Sequence, residues 1–190
     1  MNRTVAVIVG SLRKGSWNRK LAEAIATLSP PNLRFEFVEI GDLPFYDEDI
    51  EASAPLPWVR FRNQIRSADA VLFATPEYNR SVPGVLKNAI DVGSRPYAQG
   101  ALAGKPAAVI SASIGAIGGF GANHHLRQSL AFLGMPTLPA EAYIGTAQNL
   151  FDEKGALTNE ATRGFLTGFA QSFATWIETQ LGANASVRAA

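Results

Sequence analysis

Apolar residues fall into two kinds of run along this chain. Val5 to Val9 is short, continuous and largely β-branched, and it ends at Gly10, which suits a strand buried on both faces of a parallel sheet. Trp17, Leu21, Ala24, Ile25 and Leu28 then recur at helical spacing and stop before Ser29, Pro30 and Pro31. Leu33 to Ile40 reads as a second strand, Trp58, Phe61 and Ile65 as a second helix, and Ala70 to Ala74 as a third, fully buried strand. Pro83 suits the first turn of a third helix carrying Leu86, Ala89 and Ile90. Ala107 to Ser111 is a fourth strand, and Leu126, Leu130 and Leu133 mark a fourth helix closed by Gly134 and Pro136. A short fifth strand is expected near Thr137 to Leu138 or around Tyr143 to Ile144. Phe165, Phe169, Phe173, Trp176 and Ile177 form the stripe of a last helix ending before Gly182, and residues 183–190 read as a frayed tail.

Strands alternating with helices predict a three-layer α/β/α sandwich whose parallel strands are joined by right-handed crossovers. The chain shows no internal repeat and no linker, so residues 1–182 read as one domain. In such sheets a ligand sits beyond the carboxyl ends of the strands, which directs attention to the loops at 10–18, 75–83 and 112–121.

Composition narrows the chemistry. Of 190 residues, 47% are hydrophobic, and 17 Lys and Arg nearly balance 16 Asp and Glu, which excludes a disordered chain and gives no electrostatic reason to expect nucleic acid. The absence of Cys removes disulfides and thiolate nucleophiles, and with only two His, adjacent at 124 and 125, a metal site is not expected. Neighbouring helix positions point about 100° apart, so the pair suits packing at a helix start better than one shared metal. Five apolar residues at the N-terminus are too few for a signal peptide or a membrane span, so a cytoplasmic protein that uses an imported cofactor is expected.

The first loop, Gly10-Ser11-Leu12-Arg13-Lys14-Gly15-Ser16-Trp17-Asn18, gathers hydroxyls, a guanidinium and main-chain amides at a helix N-terminus, where an anion is favoured. It lacks the Lys that a Walker A loop carries after its last glycine, and no GxGxxG pattern is present, so a terminal monophosphate bound without magnesium fits best. An ordinary strand-to-helix loop capped by Ser16 is the bland alternative. The second loop, Thr75 to Gly84, sets Pro76 and Pro83 around Glu77, Tyr78 and Asn79, a stiff frame for a planar ring that forms hydrogen bonds. Glu77 alone reads as a solvated carboxylate or a charge at a helix start more often than as a catalytic acid, and its place in this loop is what singles it out. The third loop, Ser111 to Gly121, places glycines where a backbone must approach a flat ligand or another chain.

GSLRKGSWN at 10–18, TPEYNRSVPGVLKNAIDVGSRP at 75–96 and the Gly-rich segment running into HHLRQ at 124–128 resemble the NADPH-dependent FMN reductase family, on its chromate and quinone reductase branch. That resemblance implies a flavodoxin-like sheet of order 2-1-3-4-5, bound FMN, and ping-pong reduction of quinones, metal oxyanions such as chromate, or azo compounds by NADPH or NADH. It places Ser11, Arg13, Ser16 and Asn18 around the FMN phosphate, Trp17 beside the cofactor, Pro76, Glu77, Tyr78 and Asn79 along the ring, and Ala112, Ser113 and Gly115 at the ribityl chain or ring. No side chain is expected to act as a catalytic nucleophile or base.

The main competing reading is a flavodoxin-type electron carrier without its own nicotinamide site, against which the near-neutral charge argues. A dimer or tetramer is expected from apolar surface on the third and fourth helices, with Asp91 and Arg95 at that surface or at the mouth of the site. Arg80 or Arg95 could meet a 2′-phosphate. The acidic run Asp47, Glu48, Asp49 and Glu51 reads as a solvated loop able to face Arg60, Arg62 and Arg66 across a subunit contact.

Overall fold

The computed structural model describes the backbone of residues 1–189, with side chains through residue 183. Its strands are β1 (Arg3–Val9), β2 (Leu33–Val38), β3 (Ala70–Thr75), β4 (Ala107–Ala112) and β5 (Ala142–Ile144), all parallel in the order β2-β1-β3-β4-β5. The helices are α1 (Trp17–Leu28), α2 (Leu56–Ser67), α3 (Gly84–Gly93), α4 (Phe120–Phe132) and α5 (Glu160–Ala189). The period of two along each strand divides the core. Val5, Val7, Val9 and Leu72 pack with α1 and α5 on one face, whereas Ala6, Ile8, Val71 and Phe73 pack with α2, α3 and α4 on the other. These are the expected three layers and strand order.

Three expectations change. Both candidate segments for the fifth strand lie beside β4. Thr137 bridges Ala107, and Leu138 N donates to Ala107 O at 2.7 Å; Pro139 has no N–H and interrupts the ladder before β5 resumes at Ala142. In α5 the buried stripe is Leu166, Phe169, Ala170, Phe173 and Ile177, which leaves Phe165 47% exposed. The helix also continues through Gly182 to Ala189, since one helical glycine costs only about 1 kcal/mol and its neighbours favour helix. The expected tail is therefore helical over 183–189, and residue 190 lies outside the described residues.

The acidic run forms a 3-10 turn, Glu48–Ser53, tied to this same chain. Glu51 receives both guanidinium nitrogens of Arg62 at 2.6 and 2.9 Å, and Arg62 also donates to Val92 O at 2.9 Å. Arg60 is likewise committed to Asp42. Neither Arg60 nor Arg62 is thus available to an acidic run from another subunit. Trp58 and Asn88 fasten the preceding segment by donating to Pro44 O at 2.9 and 3.1 Å, while Tyr46 N donates to Asn88 Oδ1.

Candidate active site

The carboxyl ends of β1, β3 and β4 bring the three loops together. A methyl group on Gly10 would press on Leu86 of α3 at 3.0 Å and reach Pro76 at 3.4 Å, so the first loop packs closely on the second loop and the helix that follows it. Asn18, in the first turn of α1, is buried; its Nδ2 donates to Ala112 O at 3.0 Å and its Oδ1 accepts from Ala112 N at 2.9 Å. One amide side chain thereby joins the first loop to the end of β4. Glu77 joins the second loop to α4: its Oε2 accepts from Ala122 N at 3.2 Å, where a helix start has unpaired amides, and its Oε1 pairs with Arg80 at 3.2 Å.

The first loop contrasts with these ties. Ser16 caps α1 by accepting from Arg19 N at 3.2 Å, and its own N–H donates to Arg13 O. The main-chain N–H groups of residues 11–15 meet no acceptor among the described residues. Ser11 is half-buried and Arg13 exposed, the guanidinium donating to Gly15 O at 2.7 Å. Trp17 stacks on Phe151 with centroids 6.0 Å apart and carries the Lys20 ammonium on its ring; it is partly buried and packs against the core of the α1 and α5 layer.

In the second loop, Tyr78 and Ser81 exchange main-chain hydrogen bonds at 3.0 Å across a tight turn whose central residues, Asn79 and Arg80, both have positive φ. Arginine adopts that conformation at a cost of about 1 kcal/mol, and here its exposed guanidinium lies 3.2 Å from Glu77. Tyr78 is 54% exposed. In the third loop, Ser113 N donates to Ile144 O, and Ser113 Oγ accepts from Gly115 N at 3.1 Å.

Glycines in that loop serve its own chain. Gly118 has φ +66°, and a methyl group there would lie 2.6 Å from Tyr143 C; Gly145 faces Ala116 in the same way. The close approach inferred from the sequence exists, but its partner is the end of β5. Gly115 borders open space.

Sequence reasoning missed the layer that supports these loops. Arg127 donates to Asn123 Oδ1, Leu138 O and Ala140 O, spanning the break at Pro139, and buried Asn123 donates to Ser111 Oγ and Ala142 O. The one available signal was that Asn123 falls at helical spacing with the apolar positions Leu126 and Leu130, with Arg127 four residues after it. His124 and His125 diverge as expected, His124 to Tyr143 at 2.9 Å and His125 to Ser81 at 3.1 Å. Burial first, and then a bond to Glu141, pushes the Tyr143 hydroxyl up to about 12. Among the described residues no group of His, Asp or Glu is arranged to hold a metal.

A family model of NADPH-dependent FMN reductases matches residues 3–149, the whole sheet and all three loops. The chain belongs to the NADPH-dependent FMN reductase family. A quinone reductase from Pseudomonas putida is 63% identical over 177 residues, spanning 92% of this chain and 95% of that protein. A 2-hydroxy-1,4-benzoquinone reductase from Burkholderia sp is 45% identical over 174 residues, 91% of this chain and 95% of that protein. Among solved structures, FerB of Paracoccus denitrificans, a flavoenzyme NAD(P)H:(acceptor) oxidoreductase, has a TM-score of 0.89 at 46% identity, covering 94% of this chain and 98% of that one. For a reductase of this family the cofactor is FMN and the reductant NAD(P)H. The first loop fits such a cofactor's phosphate, since it offers a cluster of unpaired amides with a hydroxyl and a guanidinium, and no acidic residue lies between Gly10 and Asn18.

Proposed function

We propose that the protein is an FMN-dependent NAD(P)H:acceptor oxidoreductase that reduces quinones and, with them, metal oxyanions such as chromate and azo compounds. The observation that carries this reading is the unpaired amide cluster at residues 11–15, set at the N-terminus of α1 and beside the other two loops. Ser11 and Arg13 would hold the phosphate together with those amides, and the Ser16 cap would keep the loop in shape. Main-chain groups of residues 76–79 and of 112–115 would border the ring. Glu77 and Asn18 would hold the loops to each other instead of touching the ligand, because their polar atoms are already committed within the protein. When bound, FMN supplies the two-electron chemistry that joins oxidation of NAD(P)H to reduction of the acceptor. The few directed polar groups on Tyr78 and Asn79 give little means of rejecting one flat acceptor in favour of another, so acceptor choice is expected to be broad.

A homo-oligomer is part of the proposal. Between α3 and α4 a groove of about 350 Å3 is lined by Ile90, Arg95, Phe132 and Leu133, and Phe132 is 89% exposed, a surface suited to a second copy of the chain. Sedimentation at micromolar concentration should give a species at least twice 20.3 kDa. The cytoplasm, where NAD(P)H is supplied, is the expected place of action. No helix among the described residues is long and apolar enough to cross a membrane.

The deciding experiment is optical. The purified protein should be yellow, and anaerobic NADPH should bleach it, with quinone restoring the colour. A yellow protein that NADPH leaves unbleached would be a carrier of the flavodoxin type, and a colourless one that takes up no added FMN would overturn the reading.

A further inference from the structure

The second loop holds a charged residue in a conformation that its side chain disfavours. Tyr78 and Ser81 close a two-residue hairpin turn over Asn79 at φ 51° and Arg80 at φ 63°. Such turns favour Asn at the first centre and Gly at the second, because glycine adopts positive φ without a steric penalty. The chain meets the first preference and breaks the second. Four non-glycine residues among the described ones have positive φ, Asn79, Arg80, Ala98 and Thr146, and of these only Arg80 is charged.

The fold gains little from an arginine there. Glu77 already accepts from Ala122 N through Oε2, and its contact with Arg80 uses only Nη1 of the guanidinium. The Arg80 side chain is 74% exposed, and an ion pair so open to water adds little to stability. A strained residue with so small a structural return is held for what its side chain does.

Its place defines the task. The turn sits against both loops that would border the ring: a methyl group on Gly121 would lie 2.9 Å from Arg80 O, and Gly119 of the third loop faces Glu77. Arg80 thus stands where the second and third loops meet. Across residues 10–18, 75–84 and 111–121 the cations are Arg13, Lys14 and Arg80, and the sole acid is Glu77, whose two carboxylate oxygens are both engaged. Arg13 and Lys14 belong to the phosphate loop, which leaves Arg80 as the cation beside the ring, where an approaching anion is attracted.

We infer that Arg80 selects acceptors by charge, favouring anionic quinones, those with a sulfonate, carboxylate or ionised hydroxyl on the ring, over neutral ones of similar shape. The inference rests on the reductase reading above, and it adds selection by charge to a site whose shape leaves acceptor choice broad. A planar fork of donors suits such an oxyanion, and the contact falls on the substituent, away from the atoms that are reduced.

The readout is the ratio of kcat/KM for 1,4-naphthoquinone-2-sulfonate to that for 1,4-naphthoquinone, measured on the FMN-loaded enzyme at saturating NADPH. Arg80→Gly should lower this ratio about fivefold and, because glycine relieves the turn, raise the midpoint in denaturant. Arg80→Lys keeps the charge and should restore most of the ratio with no gain in stability. Added salt should bring the wild-type ratio toward that of the glycine variant. An unchanged ratio in Arg80→Gly would overturn the inference, as would a lower midpoint with both acceptors affected alike, the result of a purely structural role. A higher KM for NADPH but not NADH in that variant would give the cation to the nucleotide's 2′-phosphate and overturn it as well. Wild-type protein that neither holds FMN nor oxidises NADPH would instead overturn the reductase reading.

Discussion

The two flanks of the proposed site use the same residue types for opposite ends. On the β1 flank, residues 11–15 keep their amides unpaired and Arg13 exposed, so the loop is held by the Ser16 cap and has donors to spare. On the β3 and β4 flank, Asn18, Glu77, Ser111 and Asn123 spend their polar atoms on main-chain groups and on one another. One flank is a receptor and the other a frame. Burial separates them, because a buried polar atom without a partner costs about 1 to 3 kcal/mol, whereas an exposed one can wait for a ligand in water.

The frame should therefore break as a fold and the receptor only as a binding site. The largest effect is expected from Asn18→Ala, which leaves both Ala112 N–H and C=O without partners in a buried position. A loss of about 2 to 4 kcal/mol should appear as a lower midpoint in denaturant with an unchanged slope. An unaltered midpoint would mean that water replaces the amide and that the frame is looser than described.

Outside the site, the Arg62 and Glu51 pair gives a comparison at a buried clip that touches no ligand loop. The Arg62 guanidinium holds the Glu51 carboxyl below its ordinary value of 4.5, so this contribution is complete above that pH and fades as pH falls through the lowered value. Glu51→Gln should cost about 2 kcal/mol at neutral pH and flatten the acid limb of the stability profile, while FMN affinity at pH 7 stays unchanged. An acid limb identical to wild type would remove the pair from the account.

A smaller effect is expected from Glu77→Ala, which takes one carboxylate from the start of α4. About 1 kcal/mol of stability should be lost, and Glu77→Gln should keep part of it, since an amide oxygen can still accept from Ala122 N. Hydrogen exchange of the amides at 120–123 reports this directly; unchanged protection in the alanine variant would mean that the carboxylate does not cap the helix.

Much of this architecture was legible in the residues. Three buried strands, β1, β3 and β4, announced themselves as apolar runs, because in a parallel sheet covered on both faces no position alternates with polar ones, and the edge strand β2 was legible from its alternation instead. β5 was ambiguous because Pro139 lies between it and the Thr137 bridge, and pattern does not reveal that both segments lie along β4. The loops could be found, but not the division of labour within them. Asn18 and Ser16 belong to the same polar motif as Ser11 and Arg13, and only the fold shows which of them face their own backbone. The partner of Asn18 is 94 residues away in sequence. Gly118 misled for a related reason: its partner, Tyr143, comes from a segment whose approach no local spacing encodes.

The contrast between receptor and frame is tested most directly by titrating FMN and riboflavin, followed by flavin fluorescence, into wild type, Arg13→Ala and Asn18→Ala. Arg13 is exposed and bonded only within its own loop, so its removal should spare stability and weaken FMN binding about ten- to a hundredfold, at about 1.4 kcal/mol per decade. Riboflavin, which has no phosphate, should bind Arg13→Ala as it binds wild type, whereas Asn18→Ala should lose affinity for both flavins together. Unchanged FMN affinity in Arg13→Ala, or a selective loss of FMN in Asn18→Ala, would contradict the account.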